Sequence, residues 1–242
     1  MGAPSLNDIQ HILQHSPESQ PVPTGKLKRT IAMAVIGLML AITASRLSAQ
    51  GYSATVCAKG EGGITLAVQD QFITLKGGIC PGDDKKLQAF LTTVDPSIRT
   101  IKLASGGGNG EAAQAIGVMI RDGQYNTLVD ASKNKCASAC THIFASGTRR
   151  YYVGGTDFVT GLEAARGLGY HYPNARHTDE TDADKDKGFN AMTVPYLNRM
   201  LPPDAAKAVV ALMSGNRTTK VTWLNGDDAL RTGIATALVL PP

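Results

Sequence analysis

One hydroxyl set among small residues is the first candidate for chemistry in this chain. Cys136-Ala137-Ser138-Ala139-Cys140-Thr141 places Ser138 between two alanines, just after an expected strand and at the start of an expected helix. A serine at a helix start gains from the positive end of the helix dipole, and small neighbours leave room for a substrate. Upstream, Lys102-Leu103-Ala104-Ser105-Gly106-Gly107-Gly108 ends a strand in glycines. Their amides, uncovered by side chains, are a ready oxyanion hole. Downstream, Gly169-Tyr170-His171-Tyr172-Pro173 sets His171 at the end of another expected strand, fixed by the following proline. A general base must reach the serine hydroxyl, and a histidine on a neighbouring strand end can do so. The chemistry these residues would do together is nucleophilic acyl transfer. His142, one helical turn after Ser138, is a competing base.

Other uses of the same residues compete. Ser138 could be a small residue packing a helix start, and His171 an ordinary structural histidine. Gly108-Asn109-Gly110-Glu111-Ala112-Ala113 fits a dinucleotide fingerprint between strand and helix, with Asp130 ending the next strand. That fingerprint is short and usually opens its domain, whereas here a stretch of chain comes first. A phosphate-gripping loop is excluded, because no Gly-Lys-Ser/Thr follows. His177 stands near Asp179, Glu180, Asp182, Asp184 and Asp186, and Asp182-Ala-Asp184-Lys-Asp186 resembles the opening of a calcium loop. Lys187 occupies the position where glycine is needed and Thr193 the position of the closing glutamate, so a solvated acidic loop is expected and no metal or cofactor. The pair Arg149-Arg150 reads as a structural or assembly contact.

The elements that must position these residues follow from periodicity. Ile64–Val68 and Gln71–Leu75 read as successive strands, and Asp83–Thr93 as a helix with an acidic first turn. Ile98–Ala104 is an expected strand, Glu111–Asp122 a strongly periodic helix, and Tyr125–Val129 a strand. Ser138–Ala145 reads as a short helix, Arg150–Val153 as a strand, and Gly167–His171 as the start of another. Thr178–Gly188 is polar and acidic, a loop or handle. Met192–Met200, Asp204–Met213 and Asp227–Arg231 read as helices, and Ala235–Leu240 as a closing strand. Strand, turn and helix alternate, which points to an α/β domain.

The chain has 242 residues, enough for one ordinary domain with an appendage. Hydrophobic residues make up 43% and charged residues 18%, a globular balance that excludes wholesale disorder. The net charge is +4, and setting aside residues 1–49 leaves 20 basic against 18 acidic residues. That near-neutral body, with a single Trp, gives no support for nucleic-acid binding. Residues 1–29 are polar and end in Lys26, Lys28 and Arg29, ahead of an uncharged apolar run, Thr30–Ser45. Positive charge before a greasy helix is the layout of an export signal or membrane anchor, here residues 30–49. The expected organisation is therefore 1–29, 30–49, and an exported domain over 50–242, anchored in the membrane or released. Export makes disulfides among Cys57, Cys80, Cys136 and Cys140 an option beside buried free thiols, with Cys57–Cys80 linking two expected strands. A Cys136–Cys140 bridge would enclose Ser138 and shape its turn.

At these residues the chain resembles the Clp-protease/crotonase superfamily, and in particular the exported, periplasmic Clp-protease-like proteins of bacteria. The resemblance runs from about Gly63 to Leu240. It rests on Leu-Ala-Ser-Gly-Gly-Gly, Ala-Ser-Ala and His-Tyr-Pro in the family's order, and on the closing stretch Trp223–Ile234. It implies a core of repeated β-β-α units wound into a spiral, with Ser138 as nucleophile and His171 as base. It further implies Gly107 and the Ala139 amide as the oxyanion hole. The family's triad aspartate falls at Val221, which cannot orient an imidazole, leaving a Ser-His dyad or help from an aspartate of the 179–186 loop. Gly106 stands where the protease family has proline, and the spacing of 33 from Ser138 to His171 implies an insertion near Val159–Gly167. The resemblance implies peptide or protein substrates, no cofactor and trimer-based homo-oligomers. A catalytically silent member that binds peptides or envelope partners is the alternative, and an acyl-thioester enzyme of the crotonase branch a third.

Overall fold

The computed structural model describes Cys57 and residues 63–173, 181–215, 217 and 220–240. The expected leader and anchor, His177 and Asp179 lie outside the described residues. Among the described residues, no helix is long and apolar enough to cross a membrane.

Two sheets organise the chain. β1 (Thr65–Gln69) turns back into β2 (Phe72–Lys76) through Asp70 and Gln71, both at positive φ, the two-residue turn whose twist suits an antiparallel hairpin. β3 (Thr100–Ala104), β4 (Asn126–Asp130) and β6 (Arg150–Val153) add in parallel, giving the order β1-β2-β3-β4-β6. A smaller sheet runs β5-β7-β8, from Lys135–Ala137, Gly167–Tyr170 and Thr222–Leu224, with β5 parallel to β7 and β8 antiparallel to it. The sheets meet where Ser105 N–H donates to Lys135 O (2.9 Å) and Ala137 N–H to Ser105 O (3.0 Å). From β4 onward the chain alternates between them: β4 and β5 lead to a helix, then β6 and β7 lead to helices again.

Parallel strands need crossovers, which the helices provide. α1 (Asp83–Leu91) begins at a buried carboxylate, Asp83, which accepts from Ile64 N–H (3.0 Å) and Cys80 N–H (2.7 Å). α2 (Gly110–Asp122) is capped by Asn109 Oδ1 on Ala112 N–H (2.8 Å) and buries Ala113, Ile116 and Ile120. α3 (Ala139–Ser146) is buried along its whole length, so it is the central helix of the core. Beyond β7 come α4 (Asp182–Gly188), a π-helical turn (Phe189–Thr193), α5 (Val194–Met200), α6 (Pro203–Ser214) and α7 (Gly226–Arg231). The core gathers Leu75, Leu103, Phe144 and Tyr152 between the sheets and these helices.

The α/β expectation holds, with three corrections. Asp182–Gly188 is a helix, because Thr181 and Asp184 form a reciprocal capping box that starts it. Ala235–Leu240 forms no strand and touches the sheet only at a Tyr151–Ala237 bridge. Cys80 lies in the loop after β2, not in a strand.

Candidate active site

Ser138 sits at the point where β5 ends and α3 begins, with φ 55° and ψ −129°. Positive φ is uncommon outside glycine and costs energy that the surrounding structure must offset. Here the backbone supplies the restraint. Ser138 N–H donates to Gly169 O at 2.8 Å, and Ser138 O accepts from Thr141 N–H (2.9 Å) and from Thr141 Oγ1–H (2.7 Å). The Ser138 side chain makes no capping bond to α3. The result is a strand-turn-helix elbow that carries a half-buried hydroxyl at its tip, a geometry suited to presenting a nucleophile. Helix geometry leaves the first amides of α3, Ala139 foremost, without intrahelical partners.

The glycine turn packs against this elbow. Gly107 has φ +99°, and a Cβ there would lie 2.7 Å from both Ala137 O and Ser138 Cβ and 3.1 Å from Ala139 N. Only glycine allows that approach, which brings Gly107, Ser138 and Ala139 together. The Gly107 amide is already engaged, donating to the buried Ser105 hydroxyl at 3.0 Å. Gly108 lies against Ile79, where a Cβ would meet Ile79 O at 2.2 Å. Ile79 N–H donates to Gly107 O (3.0 Å) and Asn109 N–H to Ile79 O (2.8 Å). Both close approaches are thus filled by the chain itself, and Asp130 accepts from Ser132 Oγ–H (2.6 Å) beside Lys102 Nζ (3.6 Å). In the dinucleotide fingerprint the chain thus covers Gly108, while a Cβ at Gly110 would meet open space.

His171 follows β7. The parallel register pairs Ala137 with Gly169, so the chain ends bearing Ser138 and His171 leave neighbouring strands side by side. Adjacent strands lie about 4.8 Å apart, which sets the backbones of these two residues close together at the same end of the sheet. His171 Nδ1 is 2.6 Å from Tyr172 O. A carbonyl only accepts, so Nδ1 carries the proton and the Nε2 lone pair is left to accept one. Burial lowers the His171 pKa, with the Tyr172 carbonyl opposing that shift. Tyr172 is itself held, with its hydroxyl on Asp186, its ring 5.1 Å from that of Phe189, and the Arg217 guanidinium 4.6 Å above it.

No carboxylate among the described residues bonds to His171. β8 runs antiparallel to β7, pairing Tyr170 with Thr222. One step further in that register sets Val221 opposite His171, so the position suited to an orienting acid holds a valine. Asp182 pairs with Lys185 (2.8 Å), Asp184 caps α4 at Thr181, and Asp186 bonds Tyr172 and pairs with Arg217 (3.0 Å).

His142 is 6% exposed, and neither ring nitrogen has a hydrogen-bond partner. Its ring lies 5.6 Å from that of Tyr196. Burial, with a smaller contribution from His171, lowers its pKa to about 4. Disulfides join Cys57 to Cys80 and Cys136 to Cys140. Arg150 is structural: buried, it donates to Ile234 O (2.8 Å), Gly233 O (3.1 Å) and Gly147 O (3.2 Å).

Sequence reasoning missed Ser105 as the group on the Gly107 amide, although a serine before a glycine run is a turn-former whose hydroxyl bonds nearby amides. It also missed the carbonyls of Gly169 and Tyr172, which no side-chain pattern reveals.

No protein-family model matches the chain, and no curated protein matches it. Among solved structures, it is similar to a mutant of the 1510-N membrane-bound stomatin-specific protease. The two share 16% identity with a TM-score of 0.47, over 69% of this chain and 77% of that one.

Proposed function

We propose that this protein is a serine hydrolase acting on peptides or proteins without ATP, through a Ser138–His171 dyad. The observation that carries the reading is the Ser138 elbow. A non-glycine residue is held at positive φ beside Gly107, with its hydroxyl uncommitted and a histidine-bearing strand end alongside. The motif resemblance to Clp-protease-like proteins supports the same assignment, including a spiral β-β-α core, export and trimer-based assembly.

In this mechanism Ser138 Oγ attacks the scissile carbonyl carbon while His171 Nε2 takes the hydroxyl proton. The carbonyl oxygen becomes an oxyanion held by Ala139 N–H and, once the Ser105 hydroxyl yields it, by Gly107 N–H. The imidazolium then gives its proton to the departing amine, leaving an acyl-serine. Water, deprotonated by the same imidazole, releases the acid and restores the hydroxyl. Tyr172 O keeps the ring in the productive tautomer, the task an aspartate has in a full triad.

A second reading, a silent module that binds peptides in the same cleft, is favoured by two observations. These are the valine opposite His171 and the engagement of the Gly107 amide by Ser105. Stopped-flow hydrolysis of an active nitrophenyl ester by the full chain separates the two. A burst of nitrophenolate equal to the enzyme concentration, lost in Ser138→Ala and His171→Ala, is the hydrolase result; no burst from folded protein is the binder's.

A further inference from the structure

Ser138 is the middle residue of a covalent ring. Cys136 on β5 and Cys140 in the first turn of α3 are bonded to each other at a sequence separation of 4, with their Cα atoms 5.2 Å apart. The ring therefore spans the strand end, the positive-φ serine and the helix start. Both cysteines are fully buried.

Two features separate this bridge from one that serves global stability. The loop that a crosslink closes sets how far it restrains the unfolded chain, and the effect rises with loop length. Cys57–Cys80, at a sequence separation of 23, is the bridge better placed for that purpose, whereas the shorter Cys136–Cys140 loop restrains the unfolded chain less. The second feature is the missing cap. A serine before a helix ordinarily sits in extended backbone and turns its hydroxyl back onto the helix amides. Ser138 does neither, so the turn holds an unfavourable backbone without the side-chain bond that commonly secures this junction. Backbone bonds to Gly169 and Thr141 restrain the serine itself, and the disulfide adds a covalent tie between the strand end and the helix start.

We propose that the Cys136–Cys140 disulfide is the positioning element of the nucleophile, holding Ser138 in its elbow with the hydroxyl uncommitted and the α3 amides in place. The inference rests on the hydrolase reading above. In the dithiol form the turn relaxes toward ordinary capping, the hydroxyl bonds the helix amides, and the nucleophile is lost. The protein thus becomes competent on oxidation. Two thiols lose two electrons and two protons to an exogenous disulfide, which is reduced to two thiols, and a dithiol reductant reverses the exchange. Because both sulfurs are buried, exchange in either direction requires local opening of the turn.

The test uses the full chain and two readouts: the rate of fluorophosphonate labelling at Ser138, and amide hydrogen exchange over residues 136–142. Cys136→Ala/Cys140→Ala should label more slowly by about tenfold to a hundredfold, with faster exchange at Ser138 and Thr141. Cys57→Ala/Cys80→Ala should label at the wild-type rate while oxidised. Reducing that second variant isolates the remaining bridge without altering the packing of the turn, and should lower labelling in the same way until reoxidation restores it. Labelling of the bridge-less and reduced forms within about twofold of wild type overturns the proposal. If the oxidised wild type does not label at all, the hydrolase reading fails instead. Exchange then judges the bridge alone, and equal exchange with and without it overturns the positioning role.

Discussion

At the scale of single residues, the proposed site is a dyad in which main chain would fill the third place. Tyr172 O fixes the His171 tautomer, and Val221 occupies the register position opposite. Val221→Asp should therefore complete a triad. A carboxylate beside the imidazole favours its charged form, so the His171 pKa rises and the acid limb of the pH–rate profile moves to higher pH. On the plateau, kcat/KM should increase by on the order of tenfold, a fraction of the roughly 10⁴-fold that a triad acid supplies where it is native. An unmoved acid limb in a pH–rate series would count against the adjacency of these two residues. His142 makes a second prediction. Its pKa falls from 6.5 to about 4 on folding, so between those values the unfolded chain binds more protons. The stability this histidine contributes is complete above pH 6.5 and is lost as pH falls toward 4, by roughly 3 kcal/mol in all. The lowered pKa of His171 acts in the same direction. Urea midpoints between pH 7 and 4 should show this decline, and His142→Phe should remove most of it.

At the scale of elements, legibility followed length. β6 was readable to the residue from its aromatic and β-branched residues, and α2 to within one from its helical period. β5 and β8, three residues each, are too short to show any period, and they flank β7, the strand that ends at His171. The Ser, Gly and His motifs could be singled out because the chemistry proposed for them restricts residue type. The elbow's hydrogen bonds were not, because they run through backbone. The ends of α3 and α5 reveal another unread device. Arg121 on α2 donates to Ser146 O (2.7 Å), Ala145 O (3.3 Å) and Gly147 O (3.2 Å) at the end of α3, and to Met200 O (2.6 Å) at the end of α5. A cation on these carbonyls satisfies orphan acceptors and complements the negative ends of both helices. Arg121→Ala should cost about 2–3 kcal/mol, measured by urea unfolding. Arg121→Lys should recover only part of that, since one ammonium cannot reproduce the planar fork.

At the scale of the whole molecule, two sheets and the helices between them hold the serine-bearing and histidine-bearing strand ends in one place. Cys57–Cys80 ties the segment before β1 to the loop that enters α1. Closing a loop of that length should contribute about 3 kcal/mol through the unfolded chain. Cys57→Ala/Cys80→Ala should lose that amount in denaturant titrations while retaining its labelling rate, the reverse of what the bridge around Ser138 is expected to show. The central claim, that Ser138 is an activated nucleophile, is tested most directly by treating the oxidised full chain with a fluorophosphonate and locating the adduct by mass spectrometry. One adduct per chain is expected, on Ser138, abolished by His171→Ala and by prior acid denaturation. Adduct on another residue, or folded protein that stays unmodified while a control serine hydrolase in the same tube is labelled, would contradict it.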